Sequence, residues 1–562
     1  MRNRLSSHLL LLFALVVLEA VGYFAIHRAA LIRGYDASWI GALRDLAMYF
    51  PIIVVAFWIS AVKKFKGNWV LFTTAILLFS IGLLIQYRLY SDPEYNARNK
   101  AAARQEKTDA LRLRYINETY DTAKRQMMGL SPAPPTGTEA EVPVKESSYT
   151  IWNALTASYT WIPIFSLVAF ALAYSFCIND RFLSWIQRNS FMIVLLTLIP
   201  LAGAIIYSSA GKAAGNTTPW EPSKIPFLLG FAGILTARYK DLARTYWGIP
   251  RARDIVPLVV MALIPFIPFF ALKDFGQMLI FSGAYATLYL VAVRRWPQLL
   301  LFVGSVMLVI GILVMGALPR DIQEKVPLLP TIARPIQHAL PARIQQRFHL
   351  WLDGFDPPSP DVTWWKKDYD DALAKDPRMK ELADQSEAMK KSVNTDIWFD
   401  KLAFQPAQAV FGIASGKTTG RGLGLGFPEV IPIADSDYVY AALAEELGLA
   451  GGAVVVLAIV IFIIAGIRTS IEARDMFTKL CAAGLTAFMG VQALVNIGGI
   501  TRALPMTGIT LPFVSHGGFS LITSFAMLGM LMAFSHRNAQ DARGAARARP
   551  KTRELFGPEA VQ

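Results

Sequence analysis

Two pairs of acids mark the stretch Ile433–Gly452, IADSDYVYAALAEELGLAGG. Asp435 and Asp437 stand at the mouth of a long apolar run, and Glu445 and Glu446 lie inside it. A bilayer penalises ionised groups strongly, so carboxylates in such a place point to function before anything else. If the helix is continuous from Asp437, Ala441, Ala444 and Gly448 share its face and leave a groove of small residues. Glu445 then lies about 80° round from Asp437 and Glu446 nearly opposite, so only Glu445 leans into the same cavity. The competing reading is that Asp435 or Asp437 merely caps the helix start, and spacing alone gives it about half the weight.

Just upstream, Gly416-Lys417-Thr418-Thr419-Gly420-Arg421-Gly422-Leu423-Gly424-Leu425-Gly426 brings glycines, hydroxyls and two cations together. Backbone N–H groups with Lys417 and Arg421 could cradle a phosphate there. The strand–loop–helix context of a nucleotide loop is lacking, and a flexible outer turn is as good a reading. Near the C-terminus, NIGGITRALPMTGITLPFVSHGGFS (Asn496 to Ser520) interrupts an apolar region with prolines and glycines. Broken backbone at membrane depth must be buried in protein or line a cavity. Thr507, Ser515 and His516 are the polar groups it would present; a lone histidine such as His516 is more often structural than catalytic.

The elements that must position these residues follow from composition. The chain has 562 residues, 54% of them hydrophobic and only 17% charged. Its mean hydropathy is +0.39. These values describe an all-α, polytopic integral membrane protein. The net charge of +14 belongs to short topogenic loops, which excludes nucleic acid as the expected partner. Cys177 and Cys481 stand far apart in sequence and form no disulfide or zinc pattern. The N-terminal run is expected to be a retained first helix that also directs insertion, since it lacks a clear cleavage site.

About twelve spans are expected, beginning near 8–26, 47–62 and 68–87. Six more lie near 155–177, 189–208, 222–237, 254–271, 275–293 and 298–318, and the last three near 438–467, 476–498 and 510–534. Basic clusters fall on alternate short loops, such as Lys63, Lys64 and Lys66, then Arg181 and Arg188, then Arg468, Arg474 and Lys479. That pattern places both termini in the cytoplasm. The division is therefore 1–87 N-terminal helices, 88–154 an outer polar loop and 155–318 core helices. A large outer loop at 319–436, a three-helix part at 437–537 and a basic tail at 538–562 complete it. The large outer loop is rich in aromatics, glycines and paired charges, which makes it functional rather than idle.

At these residues the sequence resembles the SEDS family (shape, elongation, division and sporulation), the RodA- and FtsW-type cell-wall glycosyltransferases. Asn496, Gly498, Pro505, Thr507, Gly508, Leu511, Pro512, Phe513, Ser515, Gly517, Gly518 and Ser520 fit its C-terminal signature. Ser436-Asp437-Tyr438-Val439-Tyr440-Ala441 and Glu445-Glu446-Leu447-Gly448 resemble its Thr-Asp-Phe-Ile-Phe-Ala and Glu-Glu-x-Gly segment. Gln408, Ser415, Gly416, Gly420, Gly422 and Gly424 resemble part of its outer loop, and Arg347, Trp351 and Asp353 an earlier piece. Glu221-Pro222-Ser223 and Asp274-Phe275-Gly276 are similar to two further motifs. The chain departs from the pattern at Lys224, where the family has an acid, at Lys273 in place of Pro, and at His516 in place of Tyr. Two helices and an insert near 360–400 exceed the family's ten-helix core.

The resemblance implies polymerisation of lipid II at the outer face of the bacterial cytoplasmic (inner) membrane, beside a class B penicillin-binding transpeptidase. It implies Asp437 as catalytic base. Candidate substrate contacts are Arg347, Gln408, Ser415, Lys417, Arg421, Glu445, Thr507, Ser515 and His516. Arg347, Lys417 and Arg421 are the expected cations for the pyrophosphate; a divalent ion (Mg or Mn) could share that task, although no dedicated ligand cluster stands in the sequence. A precursor flippase and a non-enzymatic scaffold for a cell-wall synthase are the alternative functions.

Overall fold

The computed structural model describes residues 2–93, 95, 150–209, 220–242, 245–246, 249–263, 266, 268–269, 274–293 and 342–548. The described residues are built of helices, with one short antiparallel strand pair among them, Thr245–Tyr246 against Ile249–Pro250. Among the described residues eight helices are long and apolar enough to cross a bilayer. A ninth span results if Asp180–Arg188 and Ser190–Gly203, bent by 82°, are one broken crossing. The expected span at 298–318 and most of the 88–154 loop lie outside the described residues. The expected span at 222–237 is a helix, Lys224–Leu242. Its charges stand at its two ends, Lys224 at one and Arg238, Lys240 and Asp241 at the other, with an apolar stretch between.

The site and its supports are carried by α1 (Arg2–Ile32), α2 (Val70–Ser91), α3 (Lys224–Leu242), α4 (Phe275–Val293), α5 (Ala342–Leu352), α6 (Phe404–Gly416), α7 (Val439–Glu472), α8 (Met476–Ile500) and α9 (Gly518–Ala548). Their packing follows from two kinds of surface. On α7, Leu449, Leu457, Ile464 and Ile471 are exposed at helical spacing, a stripe made for lipid tails. Where helices meet, small residues let backbones touch: a Cβ on Gly529 of α9 would come within 2.4 Å of the Phe170 carbonyl oxygen on helix Ser158–Ile178. Gly484 of α8 leaves room in the same way for Leu228 of α3 and Leu288 of α4. Such close approach replaces the hydrophobic drive that lipid does not supply.

The large outer loop is not irregular. Residues 363–398 form three short helices, Thr363–Lys375, Pro377–Gln385 and Glu387–Trp398. They enclose a separate small core around Trp365 and Trp398, whose rings meet edge to face at 5.1 Å. The Trp365 indole donates to Asn394 Oδ1 (2.8 Å), and Asn394 Nδ2 donates to the Pro358 carbonyl (2.7 Å). Both buried polar groups are thereby satisfied. This cap continues into α5 on one side and α6 on the other.

Candidate active site

Asp437 lies two residues before the start of α7, not within it. The helix begins at Val439, its N-cap position is Tyr438, and no side chain caps it. Neither Asp435 nor Asp437 therefore serves as a cap. The expected helical bearing of Glu445 from Asp437 fails with it, because the 433–438 segment is a turn entered through Ile433 at φ 54°.

Three elements hold that turn. Asn496 of α8 donates from Nδ2 to the Asp437 carbonyl (2.9 Å) and to that of Ile509. Ser515 accepts the Leu511 N–H (2.8 Å) and donates to the Ser436 carbonyl (2.7 Å). The His516 N–H donates to the Asp435 carbonyl (2.8 Å). At the end of α2, Tyr90 and Tyr95 donate to the two Asp435 carboxylate oxygens at 2.6 and 2.7 Å. The Asp437 carboxylate accepts only from the Ser436 hydroxyl (3.0 Å) among the hydrogen bonds described. It keeps part of its surface accessible.

The non-helical stretch 501–517 brings a cation to it. Arg347 of α5 donates from Nη1 to the Thr507 carbonyl (3.1 Å). Arg502 donates to the Leu350 and Trp351 carbonyls, and the Trp351 indole returns a bond to Arg502 O (3.1 Å). Next to Thr507, Gly508 has φ +72°, and a Cβ there would lie 3.4 Å from Asp437 Oδ2 and 3.8 Å from Arg347 Nη2. Glycine thus keeps open the space where carboxylate and guanidinium meet. Among the described residues the buried Thr507 hydroxyl has no hydrogen-bond partner.

Behind Arg347 the polar lining continues. Lys224 Nζ bonds both Glu221 oxygens at 2.7 Å and Gln492 Oε1 at 2.8 Å. Gln492 in turn donates to the Thr510 carbonyl (3.0 Å). Asp274 interacts electrostatically with Arg347, Glu221 and Lys224. The departure at Lys224 is therefore answered within the same turn by Glu221, and the buried charges pair.

Burial pushes the Asp437 carboxyl above its ordinary value. The Ser436 bond and Arg347 oppose this, while the charge of Asp435 adds to it. Asp274 is raised likewise, first by burial. The His516 imidazole is buried, edge-on to Tyr90 at 5.9 Å, and burial pushes it down. Its placement is that of a packing residue.

Of the candidates named from sequence, the structure gathers Asp437, Arg347, Thr507 and Ser515, with His516 behind Asp435. It does not bring the glycine-rich loop to them. That loop packs on residues 444–450: a Cβ at Gly416 would meet the Ala444 carbonyl, and one at Gly420 the Glu446 carbonyl. Several of its N–H groups are already used. Arg421 and Gly422 donate to the Glu445 and Glu446 carbonyls (3.0 and 2.9 Å), Phe427 to Glu445 Oε1 (2.9 Å) and Gly424 to Glu446 Oε2 (3.0 Å). Lys417 and Arg421 are thereby tied to the far side of this contact, the Lys417 carbonyl accepting from the Leu449 N–H (2.8 Å). Glu445 is a clamp for the loop, not a wall of the Asp437 site. Ser415 lies beside Glu445 and donates to the Gly412 carbonyl (2.9 Å), and Gln408 is half-buried on the same helix, α6.

Sequence reading missed the partner of Glu446. Arg88 of α2 is fully buried and bonds Glu446 (2.8 Å), Glu429 (3.0 Å) and Asp92 (3.1 Å), with Arg33 also on Glu429. An arginine near the end of an apolar span was the available signal. Among the described residues no three His, Cys, Asp or Glu side chains converge on a metal position. Asp435, the nearest carboxylate in sequence to Asp437, is occupied by two tyrosines.

Against known proteins, the profile of the family described as cell cycle protein, covering FtsW, RodA and SpoVE, matches residues 379–540. The chain is 27% identical over 403 residues to peptidoglycan glycosyltransferase RodA of Mycobacterium tuberculosis, covering 69% of this chain and 71% of that protein. It is 35% identical over 142 residues to stage V sporulation protein E of Bacillus subtilis, covering 25% and 39%. Among solved structures it is similar to a chain from a peptidoglycan synthase complex that coordinates polymerization and crosslinking, with TM-score 0.46, 18% identity and 69% and 91% coverage. The rod shape determining protein RodA of Thermus thermophilus gives TM-score 0.32 and 16% identity, with 67% and 96% coverage.

Proposed function

Because the chain belongs to the SEDS family of RodA-, FtsW- and SpoVE-type proteins, we propose that Asp437 is the general base of its glycosyl transfer and lipid II its substrate. The protein is a multi-pass membrane glycosyltransferase of peptidoglycan synthesis. The reaction takes place at the outer face of the cytoplasmic membrane. A sugar hydroxyl of one lipid-linked disaccharide attacks the anomeric carbon of another. Its proton passes to Asp437 as the new glycosidic bond forms. The anomeric carbon–oxygen bond breaks, and undecaprenyl pyrophosphate leaves with that electron pair.

Two demands arise: a base for the proton and positive charge for the leaving group. The observation that supports this reading is that Asp437 and Arg347 flank Gly508, with the charge of Arg347 acting on the Asp437 carboxyl. A carboxyl raised by burial is a stronger base than an ordinary one. Arg347 carries the pyrophosphate role alone of the three cations expected. One base and no second carboxylate in nucleophile position fit inversion in a single displacement. A penicillin-binding transpeptidase is the proposed partner, with the cap at 363–398 on the same side as the site.

Glycan polymerisation from purified lipid II tests this, wild type beside Asp437→Asn. Polymer from the wild type and none from a folded variant is expected. Polymer from both moves the base elsewhere; polymer from neither, with transport of labelled precursor in vesicles, makes the protein a flippase.

A further inference from the structure

The hydroxyls nearest the Asp435–Asp437 turn come from a helix remote in sequence. Tyr90 is the penultimate residue of α2, and Tyr95 follows it by five residues. Their hydroxyls take one Asp435 oxygen each, at 2.6 and 2.7 Å, and the Asp435 N–H donates back to the Tyr95 oxygen (3.2 Å). Both rings lock together edge to face at 5.9 Å, and Tyr90 meets the His516 ring in the same way. The same helix reaches the facing wall: Gln86 donates to the Val514 carbonyl (3.2 Å), and a Cβ on Gly82 would come within 2.4 Å of that oxygen. So α2 grips both the 433–438 turn and the 501–517 stretch, the two segments between which Asp437 lies.

We propose that Tyr90 and Tyr95 are positioning residues for Asp437, fixing through the Asp435 carboxylate the turn that presents it to substrate. This rests on the reading of Asp437 as the base. Two phenol donors on a buried carboxylate are strong, charge-assisted bonds. The groups facing Asp437 are then Asp435 and Ser436 from its own turn, Arg347 from α5, the Thr507–Gly508 backbone, Asn496 from α8 and the phenol of Tyr438. Burial is the first cause that raises the Asp437 carboxyl; the charge of Asp435 adds to it, and Arg347 pulls it down.

The test is steady-state polymerisation of lipid II as a function of pH by the full-length protein. Tyr90→Phe, Tyr95→Phe, the double variant, Asp435→Asn and Asp437→Asn are compared, each checked for a monodisperse size-exclusion peak. Phenylalanine keeps the ring packing and removes only the donor. The expected result is kcat lowered about tenfold in each single tyrosine variant and further in the double, with KM within about twofold. Asp435→Asn removes a neighbouring negative charge, so Asp437 loses its proton at lower pH and the acid limb of the kcat profile moves down. A double variant with wild-type kcat, a rise in KM alone, or an unmoved acid limb in Asp435→Asn would overturn the positioning role while Asp437→Asn stays inactive. An active Asp437→Asn overturns the base reading and this proposal with it.

Discussion

At the scale of single residues the site turns on one carboxyl and one guanidinium. General-base catalysis contributes about 10²–10⁴ in rate, so Asp437→Asn should lower kcat by that order with lipid II still bound. The pH dependence has a definite sign. The base must be deprotonated, and burial lifts its pKa above the ordinary carboxylate value. Activity should therefore fall as pH drops through a midpoint higher than that of an exposed aspartate, read from initial rates between neutral and mildly acid pH. A midpoint at or below the exposed value would mean that Arg347 outweighs burial. Replacing Arg347 by lysine keeps a charge but loses the fork that spans Thr507 and the region of Gly508. Polymerisation should drop about tenfold or more, and a lysine variant at full rate would remove Arg347 from the leaving-group role. Asp437 was legible in sequence because its type and its place before an apolar run coincide. Tyr90 and Tyr95 were not, since their bonds join positions 345 and 340 residues apart.

At the scale of elements, the segment read as a phosphate loop proves to be a fitted part. Glycine is required where the loop backbone lies on α7: Gly448 has φ +68°, and a Cβ there would stand 2.2 Å from the Gly420 nitrogen. The glycines were visible in the sequence, but their reason was the approach of two backbones, which only packing reveals. The buried cluster around Arg88 binds this part to α2. Arg88→Met leaves Glu446, Glu429 and Asp92 without their shared cation, a loss of about 3–5 kcal/mol by the usual cost of stranding a buried charge. The melting temperature in detergent should fall markedly, and an unchanged value would show that Arg33 alone holds the cluster. The cap was likewise unread, because Trp365 and Tyr369 sit among so many charged neighbours that the segment looked like an insert without a core of its own. Its helices bury one face only, and the two central tryptophans come from opposite ends of the segment.

At the scale of the whole molecule, apolar runs were read well where they were uninterrupted, and less well where charge or a bend broke them. The span expected from 510 begins at Gly518, because residues 501–517 leave the helix to line the site. The orientation of the bundle rests on the alternation of basic loops, and it decides which side of the membrane Asp437 faces. Thiol labelling can settle it, since the native thiols Cys177 and Cys481 are both buried and give little background. A cysteine at Glu381, exposed on the cap, should react with a membrane-impermeant maleimide in intact spheroplasts. One at Arg474, exposed between α7 and α8, should react only after the membrane is opened. These two positions bracket α7, and Asp437 lies at the end nearer the cap. The opposite pattern would turn the site toward the cytoplasm. A base there would meet lipid-linked precursors before their export, and polymerisation at the outer face could not be its work.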